Sequence, residues 1–265
     1  MTAALADETI DRLTSRLRII QKRRGHRAAA DDTLLAWVAA KSRPDAVRVL
    51  DLGSGKGTVA MLLLQRLPGS RVIGIEALPE SHDLAMRNAA LNGLADRWEP
   101  RLGDLRDPTI LAGEDPFDLV TGAPPFMPVG GGVMPDDGQR AAGRFELRGG
   151  VGEYVVAAAA HLAPHGKVVL LMDGLEASRT RTEKALASSG LFLDAVLTVR
   201  ALPDRKPTYR IFTANRNPGT AVEGSLCMRA PGVSGFSPDY QSIRREMDCL
   251  PETCAASPPA PGQGG

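Results

Sequence analysis

The sequence predicts an α/β fold, a mostly parallel sheet with helices on both faces. Three observations predict it. Apolar strand-like runs alternate with helical patterns from residue 46 to 215; the first run breaks into a glycine-rich turn that opens a helix; and acidic residues stand at or just past the ends of the first three runs. Strands that alternate with helices need crossovers, and right-handed crossovers make the sheet parallel.

The elements follow in order. Residues 1–45 form a helical or hairpin extension, in which Ile10, Leu13 and Leu17 recur at helical spacing and Arg18-Ile19-Ile20 suits strand or helix alike. A helix follows, with Asp31 or Asp32 as expected N-cap, Leu34, Leu35 and Val38 facing inward, and Trp37 on its apolar side. "VRVLDLG" is the first sheet strand, and "GTVAMLLLQRL" a helix that stops at Pro68-Gly69. "RVIGIEA" is the second strand; "PESHDLAMRNAALNG" is a helix with Pro79 in its first turn and Gly93 as its stop. "RWEPRLGDL" and "FDLVTGA" are strands three and four. A Gly/Pro/Asp-rich loop over 127–144 precedes the helix "VGEYVVAAAAHLAPHG". "KVVLLMD", a further helix, "LFLDAVLTVRA" and "YRIFTAN" complete seven strands. From 216 to 265 periodicity is lost, and a disordered Gly/Pro/Ser-rich tail is expected.

Composition excludes some classes. A formal net charge of +1 is too small for a chain whose whole surface binds nucleic acid, so any basic footprint is local. The candidate is the cluster Arg16, Arg18, Lys22, Arg23, Arg24 and Arg27. No apolar run is long enough to span a bilayer, and "MTAALADETIDRL" lacks the apolar centre of a secretory signal. Cys227, Cys249 and Cys254 lack metal-site spacing and read as free thiols of a cytoplasmic protein; no metal is expected.

The chemistry concentrates at strand ends. "DLGSGKGT" presents Asp51, Gly53, Ser54, Gly55 and Gly57 between a strand and a helix whose first N–H groups are free. A dinucleotide fingerprint is G-x-G-x-x-G, whereas this pattern is G-x-G-x-G with an acid ahead of it. An acid there repels pyrophosphate and suits an ammonium group. Glu76 ends the second strand, where it can accept both hydroxyls of a ribose, and Asp104 follows the third, placed to accept from an adenine amine.

"VLDLGSGKG", "GIEA" and "GDL" together resemble the cofactor motifs of Rossmann-like class I S-adenosylmethionine methyltransferases. The resemblance implies that Asp51, Gly53, Ser54, Gly55 and Gly57 lie by the methionine part, Glu76 by the ribose and Asp104 by the adenine. Amino-methyltransferases of this class carry Asn/Asp-Pro-Pro-Tyr/Phe after strand four; here the stretch is Ala123-Pro124-Pro125-Phe126. Prolines fix φ and remove N–H groups, which leaves backbone carbonyls to face an acceptor, and the aromatic ring can stack on it. Alanine, however, accepts no hydrogen bond.

Outside the core, "IIQKRRGHRAAADDTLLAW" is similar to the segment before the first strand of bacterial tRNA(Val) adenine-N6 methyltransferases, with Gln21, Gly25, His26, Arg27, Asp31, Leu34 and Leu35 near that pattern. "GRFELRGG" resembles that family's Ala-Arg-His-Glu segment, with Arg144 and Glu146 matching and Phe145 at the histidine position. The resemblance implies methyl transfer from S-adenosylmethionine to an adenine amine in structured, tRNA-like RNA, with Arg24, His26, Arg27, Arg144 and Glu146 on the substrate side. Two alternatives stand beside it: a methyltransferase for a small molecule or a protein side chain, and a cofactor-binding partner subunit without catalysis.

Overall fold

The computed structural model describes residues 4–249, apart from 231, 233 and 234. Its elements run β1 (Glu8–Arg12), β2 (Arg18–Lys22), α1 (Ala30–Ser42), β3 (Arg48–Leu52), α2 (Thr58–Arg66), β4 (Arg71–Glu76), α3 (Pro79–Leu91), β5 (Trp98–Leu102) and β6 (Phe117–Gly122). They continue as α4 (Gly138–Arg144), α5 (Val151–His161), β7 (Leu162–Asp173), α6 (Glu176–Ser188), β8 (Phe192–Arg200), β9 (Pro207–Asn215), β10 (Val222–Cys227) and α7 (Pro238–Glu246).

The main sheet has the order β10-β8-β9-β7-β6-β3-β4-β5. β9 is antiparallel to β7 and β8, and the other pairings are parallel. Strand side chains alternate between faces. Val49 accordingly joins the core under α1 and α2, while Leu50 and Leu52 join the core under α5. The chain leaves β3 toward β4 and β5, then crosses back to β6 on the other side of β3. Such a switch in strand order opens a crevice at the carboxyl ends of the strands.

Four expectations are corrected. Ile10, Leu13 and Leu17 belong to an antiparallel hairpin and its turn, not a helix; the Thr14 hydroxyl closes the turn by accepting from the Arg16 and Leu17 N–H groups at 3.2 and 3.0 Å. The N-cap of α1 is Ala29, and Asp32, three residues into the helix, accepts the Ala29 N–H at 3.0 Å. The loop at 127–144 contains α4, capped by Asp137, whose carboxylate accepts the Arg140 N–H at 2.8 Å.

The largest correction concerns residues 216–249. β10 adds an eighth strand, parallel to β8, and Tyr240 and Ile243 of α7, with Met247 just after it, enter the core beside α1. Trp37 is only partly buried, and its indole N–H donates to Glu246 of α7 at 2.8 Å. Few apolar residues announce this segment, yet those few fill a groove that α1 would otherwise leave open. The tail from 250 onward, Cys254 included, lies outside the described residues.

One buried side chain ties the hairpin to the sheet. Asn88 of α3 accepts the Ile20 N–H at 2.6 Å and donates to the Ile20 and Lys56 carbonyls at 3.1 and 3.0 Å. Its amide is satisfied on both sides, as burial demands. It thereby sets the hairpin against the glycine-rich turn before α2.

Candidate active site

A cavity of about 590 Å³ opens over the carboxyl ends of β3, β4, β5 and β6. It is lined by Asp51, Gly53, Ser54, Gly55, Glu76, Asp104 and the run Ala123 to Phe126, so most of the expected site residues converge here. α4 spans its mouth. Gln139 of α4 donates to Ser81 in the first turn of α3 at 3.1 Å, and Gly143 packs against the exposed His26 ring.

Each carboxylate has its own state. Asp51 is buried; its Oδ1 accepts from Thr121 Oγ1 at 2.8 Å, and its Oδ2 meets no donor. Burial pushes its carboxyl up to about 7, against the Thr121 hydrogen bond. Glu76 accepts the Leu78 N–H at 2.7 Å and the Gly55 N–H at 2.8 Å, one on each oxygen. Burial raises it above the ordinary range, and those two N–H groups oppose the rise. Asp104 is half-exposed and held below the usual carboxylate range by Arg106, which donates to it at 2.6 Å.

The glycines divide their work. Gly55 sits at φ +55° with open space where a Cβ would stand, so the cavity reaches its backbone. Gly57, at φ +87°, does not line the cavity; a Cβ there would lie 1.8 Å from the Trp98 ring. Ser54 turns its hydroxyl toward Gly74, on the sheet side.

The expected substrate-side residues separate. His26, Arg27 and Arg144 line the cavity; Arg24 and Glu146 do not. Arg24 is exposed on the hairpin side, and Glu146 is bound by Arg181 of α6 and makes no pair with Arg144. Arg27 is held in place by Asp11 at 2.7 Å and the Lys22 carbonyl at 2.8 Å. Arg144 is exposed, its guanidinium 6.0 Å from the Phe145 ring.

Several lining residues were not foreseen: Asp31, Asp32, Lys56, Arg140, Arg148, Tyr154 and Tyr209. Lys56 sits inside the glycine motif, the one local signal that could have found it. It is buried, its pKa lowered by desolvation, with Asp31 and Asp32 as its nearest anionic neighbours. Tyr154 lies under Gly53, and burial raises its phenol well above the usual range. Among the described residues no group of three or more His, Cys, Asp or Glu side chains is placed to hold a metal. No described helix is long and apolar enough to cross a membrane.

A parallel sheet with an antiparallel β9, acids on successive strand ends and a proline-rich turn after β6 define a class I S-adenosylmethionine-dependent methyltransferase, and residues 49–129 match the methyltransferase domain family. The chain belongs to the tRNA1(Val) (adenine(37)-N6)-methyltransferase family: it is 32% identical over 225 residues to that enzyme of Porphyromonas gingivalis, covering 81% of this chain and 85% of the relative. It is also 30% identical over 191 residues to the release factor glutamine methyltransferase of Mycolicibacterium smegmatis, covering 70% of this chain and 64% of the relative. Among solved structures, a predicted O-methyltransferase from Agrobacterium tumefaciens shares the fold, with TM-score 0.62, 21% identity, and 83% of this chain and 98% of that chain covered.

Proposed function

We propose that the cavity binds S-adenosylmethionine along β3, β4 and β5 and presents it to an adenine amine of structured RNA at the end of β6. The observation that carries this reading is the sharing of one cavity by three carboxylates on successive strand ends and by the Pro-Pro-Phe turn. The residues fit the group: the unpartnered Asp51 Oδ2 suits an ammonium, and the open space at Gly55 suits a close backbone approach. When bound, S-adenosylmethionine supplies an electrophilic methyl on a sulfonium.

The protein's own part is positioning. Glu76 has a free lone pair on each oxygen for a ribose diol, although both oxygens already accept backbone N–H groups. Asp104 receives the adenine amine by sharing or releasing Arg106. Pro124 and Pro125 hold the turn rigid, Phe126 stacks on a planar acceptor, and the Ala123 and Pro124 carbonyls face it. Ordering of this kind supplies much of a methyl-transfer rate. The relatives named above act on an adenine and on a glutamine, both of which carry a planar NH2 group, which supports a planar amine as the acceptor class. Arg140, Arg144 and Arg148 are exposed cations around the mouth, suited to phosphates and giving salt-dependent binding.

A protein side-chain amide is the second reading, favoured by the similarity to the release factor glutamine methyltransferase. One experiment separates them. Tritiated methyl from S-adenosylmethionine is partitioned among RNA, protein and small-molecule fractions of an extract. Label in adenine of RNA is expected; label confined to protein or metabolites removes the RNA reading.

A further inference from the structure

Position 123 offers only a methyl group, exposed at the cavity surface, to an acceptor amine that needs a hydrogen-bond partner. We propose that Asp31 supplies that partner from above the sheet, accepting the acceptor N–H and then its proton, in place of a side chain at position 123. The proposal rests on the planar-amine reading given above.

Placement carries it. α1 packs against β6, β7 and β9, and Asp31 in its first turn lines the same cavity as Ala123, which follows β6. The two acids of that turn both line the cavity but differ in their partners. Asp32 is committed to the Ala29 N–H, and its charge is felt at Asp51 on the cofactor side. Asp31 Oδ1 is shut off from solvent yet meets no donor. A buried carboxylate oxygen left without a donor is costly, and such a group persists where a ligand completes it.

The charged and titratable groups facing Asp31 are Asp32 on its own helix, His26 on the preceding linker, Lys56 on the β3–α2 turn and Tyr209 on β9. Burial and Asp32 push the Asp31 carboxyl up to about 6, against the pull of His26. A group titrating there is ionised at neutral pH and still basic enough to take a proton. The step balances. As the acceptor nitrogen bonds to the methyl carbon, the sulfur–carbon bond breaks with its electron pair going to sulfur, and the N–H proton passes to Asp31.

The test uses the full chain, an adenine-containing tRNA transcript and S-adenosylmethionine. D31A is expected to lower kcat on the order of 10²-fold, while calorimetric S-adenosylmethionine affinity moves less than about threefold. A123N introduced into D31A restores at least about a tenth of the wild-type rate. D31N, nearly isosteric, flattens the acid limb of the pH–rate profile. Wild-type kcat in D31A or D31N, failure of A123N to restore activity, or a loss of cofactor affinity that matches the loss of kcat would each overturn the assignment. D31A methylating adenine at full rate leaves the RNA reading intact, whereas a wild-type protein that methylates no adenine removes both.

Discussion

The two halves of the cavity are built differently. The proposed cofactor side is made of strand ends: Asp51 lies near the end of β3, Glu76 ends β4 and Asp104 follows β5, and their partners are near neighbours such as the Leu78 N–H, Arg106 and Thr121 on the adjoining strand. The proposed acceptor side is assembled from distant pieces. Asp31 comes from α1, Ala123 from the end of β6, Arg144 from α4 and Tyr209 from β9. Local construction is legible and robust; assembly from afar allows one position to lose a function that another takes up.

The sharpest way to break this contrast is Glu76→Ala. Two hydrogen bonds to a charged acceptor are each worth about 1.5–3 kcal/mol, so S-adenosylmethionine affinity should fall on the order of 10²-fold by calorimetry. An unchanged affinity would take the ribose away from this residue.

Next comes the division among the glycines. Gly57→Ala must adopt a left-handed φ and drive a Cβ into Trp98, together about 3 kcal/mol, whereas Gly55→Ala meets only the backbone strain of about 1 kcal/mol. Denaturant titration should therefore show the larger loss for Gly57→Ala. Equal losses would mean that the Trp98 contact relaxes freely.

A smaller effect tests Asp51. Its raised carboxyl is partly protonated at neutral pH in the free protein, and a cationic ligand favours the ionised form. Affinity should strengthen about tenfold from pH 6 to 8, with a proton released on binding. The free protein responds in the opposite sense. Its native carboxyl holds the proton more tightly than the unfolded one, so the Asp51 contribution to stability falls as pH rises from about 4 to about 7. Buffer-dependent binding enthalpies check the proton, and affinity that is flat with pH would remove Asp51 from the cationic part of the ligand.

The smallest effect is at Asp104. Arg106→Ala removes a largely exposed, solvent-screened ion pair, so binding tightens at most about fivefold if the adenine amine competes for the same oxygens. Weaker binding would show that Arg106 helps to orient the acid.

What was readable followed from spacing. "DLGSGKG", "GIEA" and "GDL" placed three acids on strand ends, because a strand that stops at a known residue delivers the next side chain to the edge of the sheet. Gly57 was grouped with the ligand glycines because a glycine required by an approaching ligand and one required by Trp98 look alike in one dimension. Arg144 and Glu146 stand two residues apart in the family segment, yet Arg181 from α6 takes the acid. β10 and α7 were missed because their burial depends on a groove beside α1 that no local pattern describes.

By itself, the sequence determined the alternating α/β order and the acids on β3, β4 and β5. Those features depend on periodicity and on residues a few positions apart. Only the tertiary structure decided that α1 carries Asp31 into the cavity that Ala123 lines, that α4 contributes to the same lining and that α7 closes the core. Such contacts join residues far apart in the chain, where packing, rather than local propensity, selects the partner.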